Sequence, residues 1–487
     1  MTRVISVLGL LLYSTCAFNQ NRNANWMFGD HWISFATGEP ALVSEAPFAT
    51  PRASLSAPAN AQLRVYMAHN GATQLVDADH QLLAGTPAWP PGNYYGSQEN
   101  LFVPRPSDSD GAFFVTARRL PSPPPLPVQY GFLRLFVGGP GDVPAVLDTG
   151  YTWFMEDACE KRMVVPHGNG IDYWFVGQLL GLNTYHAYRI TAVGITEPPV
   201  VSQTGTAPPP NDWAGEVCFT VQGDQFMNVS HRWSTTADNI SLVELFSFDD
   251  ATGSIVHQLT FTSLGRVRGV EFSPSGRFLY VADKMSMQQV AFGAFSTRLF
   301  QYDLWANDVL ASRILLDSAF IDGPGITTSP TAVTALGLAP DGRIYIAHDP
   351  WVPHLGVIAQ PNLPAPDCAY VVEGFNTGTP MWWLPSFMKR YHDDISLSTA
   401  RAGTPGAPRI VPNPLSAQCE LLLPGADGPC SVAWLDALGR TTRVQQVVIA
   451  GGRATLDASG LSAGPYLLRS EFGDGRPAVI QRAWVQP

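Results

Sequence analysis

The sequence predicts an all-β fold: a β-propeller of about seven kelch- or WD-like blades, followed by a small Ig-like β-sandwich. Three observations carry that expectation. The phrase Gly269-Val-Glu-Phe-Ser-Pro-Ser-Gly-Arg-Phe-Leu-Tyr-Val-Ala-Asp283 reads as two strands around a tight turn, and it returns as Ala335-Leu-Gly-Leu-Ala-Pro-Asp-Gly-Arg-Ile-Tyr-Ile-Ala-His348. Pro274 presets φ for the turn and Gly276 supplies φ > 0, so the hairpin is specified locally. Looser copies at Arg162–Val176 and Glu216–Val229 put the turns at Gly170, Gly223, Gly276 and Gly342. Their spacing, roughly 50 to 65 residues, is that of kelch-like blades, and units this small must stack to bury their strands. Finally, 44 Gly and 42 Pro in 487 residues suit turn-rich β structure, and no long amphipathic helical period is present.

In chain order, residues 1–17 read as a secretory signal peptide. Arg3 precedes an apolar run from Val4 to Leu12, with small residues at Thr15 and Ala17. The run is too short to span a bilayer, and nothing else in the mature chain reads as transmembrane. The propeller is expected over 18–392. It opens with Asn25–Phe35, the candidate strand to close the ring by pairing into the last blade. Leu63–Asn70 and Thr73–Val76 form a hairpin around Asn70-Gly71, and Leu101–Val103 pairs with Ala112–Val115. Pro121–Pro127 is a loop, because proline cannot sit in a central strand. Tyr130–Val137 returns to strand, and third strands follow at Tyr185–Ile190, Leu242–Phe248, Arg298–Leu304 and Leu355–Ile358. Residues 393–408, small and Pro/Gly-rich, form a linker. Short strands between glycine turns over 409–487 predict the sandwich.

Charge excludes one class of function. The net charge of -11 gives no basic footprint for nucleic acid. Charged residues make up 14% of the chain, well below the usual ~25%. None of the six cysteines forms a C-x-x-C pair, which leaves a zinc ribbon or thioredoxin-like site without support. In an exported chain Cys419 and Cys430 could bridge adjacent strands of the sandwich, with buried reduced thiols as the alternative.

Two resemblances then emerge. Val411-Pro412-Asn413-Pro414, Leu435-Asp436-Ala-Leu-Gly439-Arg440, and Leu456 to Arg469 with Leu461, Gly464 and Tyr466 resemble the type A sorting domain of the bacterial type IX secretion system. The resemblance implies export through the outer membrane by that machinery, removal of the domain and display at the cell surface. The body resembles the propeller-like region of large exported proteins of the same bacteria. Its marks are Asn25-Trp-Met-Phe-Gly29, Leu299-Phe-Gln-Tyr-Asp-Leu304 and Ile358-Ala-Gln-Pro-Asn362. That second likeness implies fold and location and carries no catalytic residues.

Candidate sites are few. Gly460-Leu-Ser-Ala-Gly464 matches a nucleophile elbow in letters, but turn and strand flank it and no histidine follows His392. His392-Asp-Asp394 and Asp77, Asp79 and His80 read as polar turns, since neither completes a metal ligand set. Exposed tryptophans could stack on sugars, with Trp351, Trp382 and Trp383 the leading members and Trp89 and Trp153 behind them. No catalytic residue, metal or cofactor is assigned. The expected function is therefore a surface-displayed binding or adhesion module for an unidentified glycan or protein, or a self-associating structural subunit. The alternative is a lactonase, lyase or glycosidase with a site at the central channel, which requires acids from several blades to converge there.

Overall fold

The computed structural model describes residues 21–391 and 409–485 except for short stretches, the longest being 44–52, 88–99, 231–240, 287–294 and 322–332. The statements below concern the described residues. The leader and the linker lie outside them, as does the proline cluster except for Pro127. Alternating apolar strands closed by glycine turns fold as antiparallel sheets radiating from one axis. No described helix is long and apolar enough to cross a membrane.

Blade one is β1 (Asn25–Phe28), β2 (His31–Ser34) and β3 (Ala41–Val43), and blade two is β4 (Ala53–Ser56), β5 (Leu63–His69) and β6 (Thr73–Asp77). Blade three holds β7 (Leu101–Pro104), β8 (Gly111–Arg119), β9 (Val128–Phe136) and the short β10 (Ala145–Val146). Blade four runs through β11 (Thr152–Pro166), β12 (Tyr173–Leu179), β13 (Thr184–Thr191), β14 (Gly194–Ile195) and β15 (Val200–Gln203). Blade five is β16 (Gly215–Phe219), β17 (Gln225–Ser230), β18 (Leu242–Phe248) and β19 (Ile255–Phe261). Blade six is β20 (Arg266–Phe272), β21 (Phe278–Ser286), β22 (Phe295–Asp303) and β23 (Ile314–Ile321). Blade seven is β24 (Val333–Leu338), β25 (Ile344–His348), β26 (His354–Ile358) and β27 (Tyr370–Asn376).

The repeated phrase is the first hairpin of blades four to seven. Gly170, Gly223, Gly276 and Gly342 take φ between +75° and +79°. Each donates its N–H to the carbonyl three residues earlier, on His167, Thr220, Ser273 and Ala339, at 2.8–3.0 Å. A side chain would be strained at that φ, so one residue type recurs at one position in four blades.

Blades three and four share a strand. The first half of β11 pairs with β9 (Thr152↔Phe132, Ala158↔Val128), and its second half pairs with β12 (Arg162↔Gly177, Pro166↔Tyr173). Between Ala158 and Arg162 the register shifts in a bulge, and Asp157 just before it takes φ +51°. The result is one nine-stranded sheet.

Ring closure differs from the expectation. Asn25–Phe35 does not add a strand to the last blade: β1 pairs with β2 in a sheet of its own. Side chains close the ring instead. Trp26, Ile33 and Phe35 pack with Tyr345, Ala347 and Leu355 of blade seven in one buried cluster.

The C-terminal unit is a sandwich of two sheets. One is β28 (Arg409–Val411), β29 (Gln418–Leu422) and β32 (Arg453–Asp457). The other is ordered β31 (Thr441–Ile449), β30 (Gly428–Leu435), β33 (Gly464–Phe472) and β34 (Val479–Val485). Leu421, Leu456, Trp434 and Leu468 meet in its core. Cys419 and Cys430 are buried and carry no disulfide: β29 and β30 belong to opposite sheets, so the two residues are not on adjacent strands.

Candidate functional site

The first strand of each blade faces the axis, and β1–β4, β4–β7, β11–β16, β16–β20 and β20–β24 are neighbours around it. Apolar strands are expected there. Instead, three consecutive charged residues of β11, Glu160, Lys161 and Arg162, are all buried. The bulge makes this possible, because an inserted residue breaks the alternation that would turn every second side chain outward. Gly215 N–H donates to Glu160 Oε1 at 3.1 Å, and Lys161 Nζ donates to Ser230 Oγ at 2.5 Å, so both side chains reach blade five. Gly215 leaves room for the lysine: a Cβ there would lie 2.7 Å from Lys161 Cδ and 1.9 Å from the Val229 carbonyl oxygen.

The centre of the site is Glu271 on β20, whose side chain is only 1% exposed. Its Oε1 accepts from the Phe272 N–H at 3.0 Å and from Cys218 Sγ at 3.2 Å. Its Oε2 accepts from the Leu338 N–H at 2.7 Å and from Lys389 Nζ. One carboxylate thus joins blades five, six and seven to the segment Leu384–Tyr391 that follows the last blade. Such a charge tolerates burial only with this degree of pairing.

Glu216, on β16 beside Glu271, keeps some exposure. Burial pushes its carboxyl up from 4.5 to about 8, and the Glu271 charge adds to that, while Lys389 and the Val270 N–H oppose it. The Cys218 thiol is also raised, by burial first and then by Glu271. Burial works against the charge of Lys389, yet Cys218, Glu271 and Glu216 together hold its ammonium above the usual lysine range. The arrangement is a partly exposed carboxylic acid that keeps its proton near neutral pH, set beside a fully paired carboxylate. In that state it can donate a proton to a bound leaving group.

The sequence missed this site. The Glu160-Lys161-Arg162 run leading into the apolar Met163-Val164-Val165 was the available signal, together with Glu216 and Glu271 in the first strands of two repeat copies. Among the described residues no group of three or more His, Cys, Asp or Glu is arranged to hold a metal ion.

The candidates named from sequence are not brought together. Trp351, Trp382, Trp383 and Trp89 lie outside the described residues, as do His392, Asp393 and Asp394. Trp153 is described, but its ring is taken: the Arg118 guanidinium lies 4.2 Å over it, and a Cβ on Gly131 would be 2.5 Å from it. Asp77 accepts from the backbone N–H groups of Asp79 at 2.9 Å and Gln81 at 2.8 Å, a turn rather than a calcium loop. Leu461 N–H donates to the Ala458 carbonyl at 3.1 Å, a turn where a nucleophile elbow would need a strand. Of the sorting-motif residues, Pro412, Asn413, Pro414, Asp436, Gly439 and Arg440 lie outside the described residues. Gly464 begins β33 opposite Val485, Leu461 packs on the sandwich core, and Tyr466 is buried with its ring edge-on to Trp434 at 5.9 Å.

No protein-family model matches the chain, and no curated protein matches it. Among solved structures it is similar to hydrazine synthase of Kuenenia stuttgartiensis, at TM-score 0.38 and 10% identity over 69% of this chain and 85% of that one. It is similar to a functionally unknown protein of Desulfotomaculum acetoxidans, at TM-score 0.38 and 13% identity over 73% of this chain and 95% of that one. It is also similar to the periplasmic gluconolactonase of Pseudomonas aeruginosa, at TM-score 0.30 and 15% identity over 80% of this chain and 96% of that one.

Proposed function

We propose that the propeller is an acid–base enzyme of lactonase, lyase or glycosidase type, with Glu216 as the proton donor of an axial site. The observation that carries this reading is the meeting of Glu216 and Glu271, from two successive blades, with Lys389 at the axis, while Glu160 of the blade before holds the Gly215 N–H beside Glu216. A binding module without chemistry has no need of a partly exposed acid held protonated beside a paired carboxylate. Small polar substrates of lactone or glycoside class suit such a site, since each needs one proton delivered to a leaving oxygen. Export and cell-surface display through the type IX machinery belong to the same proposal, supported by the leader and by the sorting phrases in the C-terminal sandwich.

The test is a panel of lactones and aryl glycosides offered to the full chain and to Glu216→Gln between pH 5 and 9. Turnover that falls as pH rises through about 8, and that is lost in the variant while its melting temperature holds, supports the reading. Equal turnover by both proteins, or none by either, rejects it. Surface labelling of cells expressing the chain with and without residues 409–487 tests display: signal that does not depend on the sandwich rejects that half of the proposal.

A further inference from the structure

Eight residues after the last blade, Leu384–Tyr391, touch almost the whole ring. Leu384 and Phe387 pack in the cluster that joins blades one and seven, and Phe387 lies parallel to Trp26, centroids 6.0 Å apart at 22°. Lys389 reaches Glu271 of blade six. Met388 and Tyr391, both at 0% exposure, belong to the packed cluster of blades two, three and four. Eight extended residues span at most about 28 Å. A peptide that short meets one, seven, six and the two-to-four cluster together only by lying across the axis where the blades converge.

We propose that Leu384–Tyr391 is an internal clasp that closes the ring at its axis, and that Lys389, which it carries, is a positioning residue of the Glu216–Glu271 site. The site is incomplete until the clasp is seated, so ring closure and site assembly are one event. This rests on the acid–base reading of that site, yet it is tested without turnover. A strand added to the last blade would close the ring and contribute nothing at the axis, whereas this clasp places an ammonium against a carboxylate that already holds the Cys218, Phe272 and Leu338 donors. The charged and titratable groups facing Lys389 are Glu271, Glu216 and Cys218.

The test follows carboxyl protonation in the full-length chain by infrared spectroscopy, with the band lost in Glu216→Gln identifying Glu216. Lys389→Met removes an opposing positive charge, and the Glu216 midpoint is expected to rise by about one pH unit or more. Lys389→Arg is expected to restore it. Phe387→Ala removes no charge but loosens the clasp, which withdraws Lys389 and admits water, and it should move the same midpoint away from the parent's value. Should Lys389→Met fail to fold, Phe387→Ala carries the test. A lowered melting temperature with an unmoved midpoint in Phe387→Ala overturns the proposal, because a purely structural strut would behave that way. A Glu216→Gln variant that turns over substrate like the parent rejects the acid–base reading alone and leaves the titration result standing.

Discussion

The indole of Trp26, in the first blade, meets the ring of Tyr345, in the last, edge-on at 5.8 Å and 71°. These residues lie at opposite ends of the propeller sequence, and β1 and β25 belong to different sheets. The ring therefore closes on aromatic contacts, to which Phe35 adds another edge at 5.6 Å from Tyr345. Trp26→Ala should cost about 3–5 kcal/mol, as for other fully buried aromatics, and urea unfolding of the full chain would measure it. A loss below about 1 kcal/mol would show that the closure lies elsewhere.

Glu271→Gln keeps the shape of the axial hub and removes its charge. Lys389 would then lose the carboxylate it is hydrogen-bonded to while staying largely buried, and about 3–5 kcal/mol should be lost. The double variant Glu271→Gln with Lys389→Met should recover some of that loss. Equal stability of the single variant and the parent would mean that water already supplies what the pair supplies.

Protonation of Glu216 also links stability to pH. Its folded value, about 8, lies above its ordinary 4.5, so the folded state holds this proton more tightly than the unfolded one. The resulting stability is fully present below about pH 4.5 and is lost as pH rises toward and through 8. Urea midpoints for the parent should fall across that window, and the corresponding slope should be flatter in Glu216→Gln.

His348 acts in the opposite sense. Burial, helped by His354 with its ring 6.0 Å away, pushes the imidazole down from 6.5 to about 4. The neutral form is favoured in the fold, so its contribution is present above pH 6.5 and is lost as pH falls toward 4. His348→Leu should flatten the acid limb between those values, as read by thermal melts at pH 7 and pH 4.5.

Gly215→Ala tests the packing beneath Lys161. A Cβ 1.9 Å from the Val229 carbonyl oxygen forces the inner strand of blade five to shift. A cost of about 1–3 kcal/mol is expected, in line with other overpacked sites. An unchanged melting temperature would show that the strand can yield.

Much of the architecture was legible because its causes are local. Gly276 and Gly342 need φ > 0, and the apolar strands on either side carry their own period, so hairpins and blade spacing could be read in one dimension. The closure was not legible: nothing in Asn25–Phe35 distinguishes a strand that pairs from one that packs. The axial site was hidden for a similar reason. Glu160, Glu216, Glu271 and Lys389 are scattered along the sequence, and only the ring brings them together. The bulge that buries Glu160 and Lys161 arises from tertiary register rather than from any turn residue. Tryptophan counting pointed to the surface, whereas Trp26 and Trp434 are spent in cores.

The strand β11 gives blades three and four a common fate. Its N-terminal half is an outer strand for one and its C-terminal half the inner strand of the other, so peeling either blade away strips partners from both. In a chain pulled from its ends, or sampled by amide hydrogen exchange, these two blades should behave as a single foldon about twice the size of the rest. The other described blade boundaries are largely side-chain seams, and seams of that kind can open singly.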